Sequence, residues 1–198
     1  MTSAADYDAT MAAGETEPAL PSNRTRRVGL FALAAVVALS ADLISKFAVV
    51  SILSDRGPVR VLGGALYLVQ TRNSGAAFSV GTGATVVLTV VALAVVAVIL
   101  RTARGLYSPG WAIALGLVLG GAVGNLVDRI FRAPGLGRGH VVDWIRVFAA
   151  DGHIWPTFNI ADSSIVCGAV LAGILALRGV DLDGSRSGRT SLPADPAR

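Results

Sequence analysis

Four stretches of this chain stay apolar for about the thickness of a bilayer, and that constrains the fold more than any other feature. They run over about Val28–Leu53, Ala84–Leu100, Trp111–Ile130 and Ile160–Leu177. A helical span needs ~20 residues at a rise of ~1.5 Å each. The second stretch is short and the other three fit comfortably. Of the 198 residues 53% are hydrophobic and 15% charged, a balance uncommon in a soluble domain of this size. The expected class is therefore an all-α polytopic membrane protein with four transmembrane helices. Nucleic-acid binding is disfavoured, because the arginines are scattered at segment ends and not gathered on one face. Cys167 is the one cysteine, so an internal disulfide and a cysteine metal cluster are excluded. Its place in the last apolar stretch predicts a small buried filler.

Arginines near the span ends set the expected orientation. Arg24, Arg26 and Arg27 precede the first span, Arg101 and Arg104 separate the second and third, and Arg178, Arg186 and Arg189 follow the fourth. This places both termini and the middle loop in the cytoplasm, although Arg56, Arg60, Arg72, Arg132, Arg138 and Arg146 lie in the outer loops. Residues 1–23 are polar and acidic and read as a disordered cytoplasmic tail. No basic segment precedes an early apolar run, so a signal peptide is not expected. Residues 24–178 form the membrane unit, and 179–198 read as a second disordered cytoplasmic tail. In the outer loops, PVRVLGGALYLVQTR (58–72) is β-prone and glycine-punctuated, which suggests short strands at the membrane surface. The later VVDWIRVF fits either a short surface helix or a strand.

Nine polar residues then stand out. Asp42 and Lys46 lie in the second half of span one, Asn73 just before span two, and Asn125, Asp128 and Arg129 at the end of span three. Asp143 is in the outer loop, and Asn159 and Asp162 open span four. With the up-down topology all nine fall at the outer end of the bundle. An unpaired charge in the bilayer costs about 2.5–3.5 kcal/mol, so their convergence needs a reason. Structural roles are available for several. Asp42 and Lys46, four apart, share a helix face and could neutralise each other. Asp128 and Arg129 could anchor at the interface, Asn73 and Asn125 could join helices, and Asn159 could cap span four. Asp143 and Asp162 resist this reading, being set in the apolar surroundings VVDWI and IADSSI. Two carboxylates facing one pocket are pushed apart in pKa and titrate as a unit. Such a pair can activate a water against a peptide carbonyl. His140 and His153 have no serine or cysteine placed with them, and no metal-binding spacing is present. A small transporter or proton conductor is the competing class, and it would place ionisable residues in the inner half as well.

The stretches ADLISKF (41–47), NSGAAFS (73–79), GGAVGNLVDRI (120–130), HVVDWI (140–145) and WPTFNIADSSI (155–165) resemble the bacterial lipoprotein signal peptidases, the type II signal peptidases. They run in the family order across 125 of the 198 residues. The resemblance implies an aspartyl endopeptidase of the bacterial cytoplasmic (inner) membrane. It implies four transmembrane helices, a small extracytoplasmic β-cradle, a short surface helix and an active site near the outer face. It implies no metal or organic cofactor. The partners implied are prolipoprotein substrates carrying a lipidated lipobox cysteine, membrane lipids and globomycin-type inhibitors. By motif, the catalytic aspartates fall on Asp143 and Asp162. Asn73, Asn125, Asp128, Arg129 and Asn159 match positions that line or brace the site, and Asp42 and Lys46 match the acid and lysine of the first motif. Lys46 is the single lysine of the chain, and lysine and arginine are not interchangeable. Two departures stand out. The link between Arg129 and Asp143 holds 13 residues, with RAPGLGRG expected to bulge outward, and Trp144 follows the first aspartate where phenylalanine is usual. Glycines in GGAVGNL and GAAF fit either core packing or close approach of substrate.

Overall fold

The computed structural model describes residues 25–75 and 83–186. Four long apolar helices carry the chain: α1 (Val28–Leu53), α2 (Gly83–Thr102), α3 (Pro109–Phe131) and α4 (Ile160–Leu177). All four are long and apolar enough to cross a membrane, where a helix satisfies its own backbone polar groups. The first and fourth coincide with the apolar stretches, and the second and third extend them by one or two residues at each end. Strands β1 (Val59–Val61), β2 (Leu66–Asn73) and β3 (Val141–Val147) form one antiparallel sheet in the order β1-β2-β3 at one end of the bundle. The link 58–72 is thus β-structure as expected, and VVDWIRVF is a strand. Among the described residues the short surface helix expected with the sheet is absent. The β1–β2 connection holds only a 3-10 turn, Leu62–Gly64.

Helix α3 is the hub, and small residues make it so. Gly116, Gly120 and Gly124 recur every four residues and face α1. A Cβ at Gly120 would lie 2.4 Å from the Ala35 carbonyl oxygen. On another face, a Cβ at Gly121 would lie 2.4 Å from the carbonyl oxygen of Ala161 in α4, and α4 returns the device at Gly168. Close backbone approach of this kind is how helices associate where lipid offers no hydrophobic drive. The glycines of 120–124 therefore pack helix on helix. Residues 76–78 of the GAAF stretch lie outside the described residues.

The opposite end of the bundle closes on an apolar cluster of Phe31, Ile99, Ala103, Leu106 and Ala112. Here two expectations fail. The tail expected to be disordered from residue 179 is ordered through Arg186. Its Leu182 packs against the apolar cluster, and its carbonyl accepts from the N–H groups of Tyr107 and Ser108 at 2.9 Å each. Trp111 Nε1 donates to the Val180 carbonyl at 2.7 Å. The remainder, 187–198, and the N-terminal tail 1–23 lie outside the described residues. Cys167, expected to be buried, is exposed on α4. An apolar helix in lipid gains nothing by turning its apolar side chains inward, so apolarity does not mark the core.

Candidate active site

The polar residues meet at the sheet end of the bundle, and local rules place each of them. Strand β3 packs Val142 and Trp144 against Val49 and Leu53 of α1. Side chains alternate along a strand, so Asp143 turns to the other face, opposite Thr71 of β2. There it accepts from Asn73 Nδ2 at 2.9 Å and from Asn159 Nδ2 at 2.7 Å. Asn73 is held by the Gly75 N–H, which donates to its Oδ1 at 2.7 Å.

Asp162 is set by a helix start. Asn159 is the N-cap of α4, and its Oδ1 accepts from the Asp162 N–H at 2.9 Å. Asp162 Oδ2 in turn accepts from the Asn159 N–H at 3.2 Å, completing a capping box. The other carboxylate oxygen, Oδ1, accepts from Asn125 Nδ2 at 2.8 Å. Asn159 is fully buried and touches both acids, its Nδ2 donating to Asp143 and its Oδ1 accepting from the Asp162 backbone N–H.

Beneath the two acids lies a layer of buried charge. Lys46 and Asp42 are both 0% exposed and Asp128 is 1% exposed. Lys46 Nζ lies 2.7 Å from Asp42 Oδ2 and 2.9 Å from Asp128 Oδ2. These are ion pairs by distance, with the aligned hydrogen bond of the ammonium going to Asn125 Oδ1 at 3.0 Å. Asp42 Oδ1 accepts from the Ala161 N–H at 2.9 Å, and Asp128 Oδ2 from the Val142 N–H at 3.1 Å. Arg129 is also buried, within electrostatic reach of Asp143, Asp162 and Asp128, and among the described residues its Nη1 has no hydrogen-bond partner.

All nine polar residues singled out in the sequence therefore converge. Asp128 and Arg129 are not interface anchors, because both are buried in the site. Asn73 joins strand to strand and does not link helices. Sequence reasoning missed Arg132, which pairs with Asp128 one helical turn away. The i,i+4 spacing was the available clue. Gly124, one of the glycines of GGAVGNL, packs against this layer, where a Cβ would stand 2.5 Å from Asp42 Oδ2. His153 pairs with Asp151 in an exposed loop away from the acids. The RAPGLGRG link does project, with Leu136 94% exposed, yet Thr89 of α2 ties it down by donating to the Gly137 carbonyl at 2.7 Å.

Burial dominates the electrostatics of Asp143 and pushes its pKa from 3.8 to about 6. The Asp162 charge adds to the rise, and the hydrogen bonds from Asn73 and Asn159 and the Lys46 charge oppose it. A carboxyl near neutrality can hold a proton at one moment and give it up at the next. Asp143 on β3 and Asp162 on α4, joined through the Asn159 amide, suit acid–base chemistry on one substrate bond.

Comparison with known proteins now decides the family. A model of the signal peptidase (SPase) II family matches residues 34–178. The chain belongs to the signal peptidase II family. It is 50% identical over 171 residues to the lipoprotein signal peptidase of Rhodococcus jostii, covering 86% of this chain and 83% of that one. It is 48% identical over 172 residues to the lipoprotein signal peptidase of Mycobacterium tuberculosis, covering 87% and 82%. A bacterial membrane enzyme solved at 1.9 Å by the in meso method superposes with a TM-score of 0.69 at 26% identity, covering 78% of this chain and 97% of that chain. This chain is thus a multi-pass membrane peptidase of the aspartic class. The transporter alternative fails on the same grounds.

Proposed function

We propose that this peptidase removes the signal peptide from diacylglyceryl-modified prolipoproteins, cutting before the lipidated cysteine, with water activated between Asp143 and Asp162. The observation that carries the reading is the joining of these two acids, from different elements, through the buried Asn159 amide. Asp143, with its pKa raised to about 6, is assigned the proton at the start, and Asp162 is the base. Asp162 takes a proton from water as the oxygen attacks the scissile carbonyl carbon. Asp143 gives its proton to the departing amide nitrogen as the C–N bond breaks. The products are a free carboxylate on the signal peptide and a free amine on the lipidated cysteine. Arg129 Nη1, without a hydrogen-bond partner among the described residues, is suited to hold a carbonyl oxygen of the substrate backbone. The chemistry requires no metal or organic cofactor.

Arginine placement supports cytoplasmic termini and a site at the outer face of the bacterial cytoplasmic membrane, with 24–178 as the membrane unit. There the signal helix would lie among the spans and the acyl chains in the bilayer. Each buried CH₂ contributes ~0.8 kcal/mol, so the lipid should dominate recognition. Globomycin-type inhibitors are expected to compete for this site. The test is mass analysis of products from purified protein and a lipidated prolipoprotein. The reading expects a new N-terminal cysteine carrying the lipid. A cut elsewhere, or equal cutting of the unlipidated precursor, would sink it.

A further inference from the structure

Each of the two carboxylates paired with Lys46 also holds a backbone N–H. Asp42 receives that of Ala161, the residue before Asp162, and Asp128 receives that of Val142, the residue before Asp143. The lysine lies between the two carboxylates, 2.7 and 2.9 Å away. From this we infer that Lys46 is a positioning residue that brackets the two aspartate-bearing segments and sets their spacing for the reaction.

The inference rests on the aspartyl-peptidase reading and extends it to a residue that touches neither acid. Three physical arguments support it. First, Asp42 and Asp128 are both buried, and without a cation between them their charges would repel. Their partners, the backbones at Ala161 and Val142, would be carried apart with them. Second, the ammonium has only donors, so its hydrogen bond to Asn125 requires the amide oxygen to face Lys46. The amide nitrogen then faces Asp162 Oδ1 at 2.8 Å. A reversed Asn125 amide would set oxygen against carboxylate. Third, the group must be compact. It meets three acceptors within 2.7–3.0 Å, a cluster that suits a point-like ammonium and not a planar fork. The chain otherwise uses arginine for its cations and has lysine at this one position.

The test uses full-length protein and a lipidated prolipoprotein, with kcat and KM measured separately beside melting temperature. Lys46→Arg keeps the charge and loses the compact geometry. Asp42→Asn combined with Lys46→Met removes one charge of each sign and leaves Asp128 paired with Arg132. A misplacement of about 1 Å can lower a rate about 10²-fold, so each folded variant should lose kcat on that order. KM should stay within about twofold, because uniform binding is untouched. Either folded variant keeping kcat near that of the parent would overturn the inference, and a variant that does not fold is read through the other. Asp143→Asn and Asp162→Asn run beside them. If these lose cleavage while the Lys46 variants keep it, only the bracket fails. If these also cleave, the aspartyl reading itself has failed.

Discussion

The two ends of this helical bundle are closed by opposite chemistries. At the sheet end Asp42, Lys46 and Asp128 are all but fully buried and paired with one another, beside a small apolar cluster of Val49, Leu53 and Val142. At the other end Phe31, Ile99, Leu106 and Ala112 meet around Leu182, and the contacts are apolar with backbone hydrogen bonds. A buried ion pair is often no more stabilising than well-packed apolar side chains of similar size. The sheet end is therefore organised for placement of acids, and the other end for stability. Between them the glycine stripe of α3 holds both ends on one frame.

Breaking that frame should have the largest structural effect. Gly120→Val would drive side-chain atoms into the Ala35 carbonyl and the Ala38 Cβ. Overpacking of this kind costs about 1–3 kcal/mol, and both melting temperature and cleavage should fall together. A fall in only one would show that the two ends are independent of the stripe.

Next comes pH. The folded pKa of Asp143 is raised to about 6 from 3.8, so the native state binds more protons than the unfolded state between these values. Its stabilising contribution is full below the unfolded pKa and is lost as pH rises through about 6. The change is on the order of 1–3 kcal/mol. Melting temperature should decline across this window in the parent, and Asp143→Asn should flatten the decline. An unchanged slope in the variant would show that another group carries the pH dependence.

Leu182→Ala gives the smallest effect and sharpens the contrast most. Leu182 is partly buried against the apolar cluster, so its truncation should cost about 1–2 kcal/mol, below the usual range for a fully buried leucine. Melting temperature should drop while kcat and KM hold. A matching loss of kcat would couple the far end to the chemistry and undo the division of labour.

Much of this was readable in the sequence, because lipid makes polarity conspicuous. Spans α1 and α4 match their apolar stretches residue for residue, and the nine polar residues converge as the up-down topology requires. What stayed hidden depends on long-range pairing. The Asp42 to Ala161 bond joins residues 119 apart, and no local pattern signals it. Cys167 misled because apolar surface faces lipid as readily as core. The segment 179–186 misled because its composition is polar, yet Leu182 and the Val180 and Leu182 carbonyls dock against the bundle. Asn159 was legible as a cap, but its contact with Asp143 required the fold.

The central claim is that Asp143 and Asp162 are the catalytic pair. Its most direct test is cleavage of a lipidated prolipoprotein by purified Asp143→Asn and Asp162→Asn proteins of parental fold. General acid–base groups contribute ~10²–10⁴-fold each, so both variants should fall by at least that much while their melting temperatures stay near or above that of the parent at neutral pH. A folded variant that cuts at close to the parental rate would contradict the account.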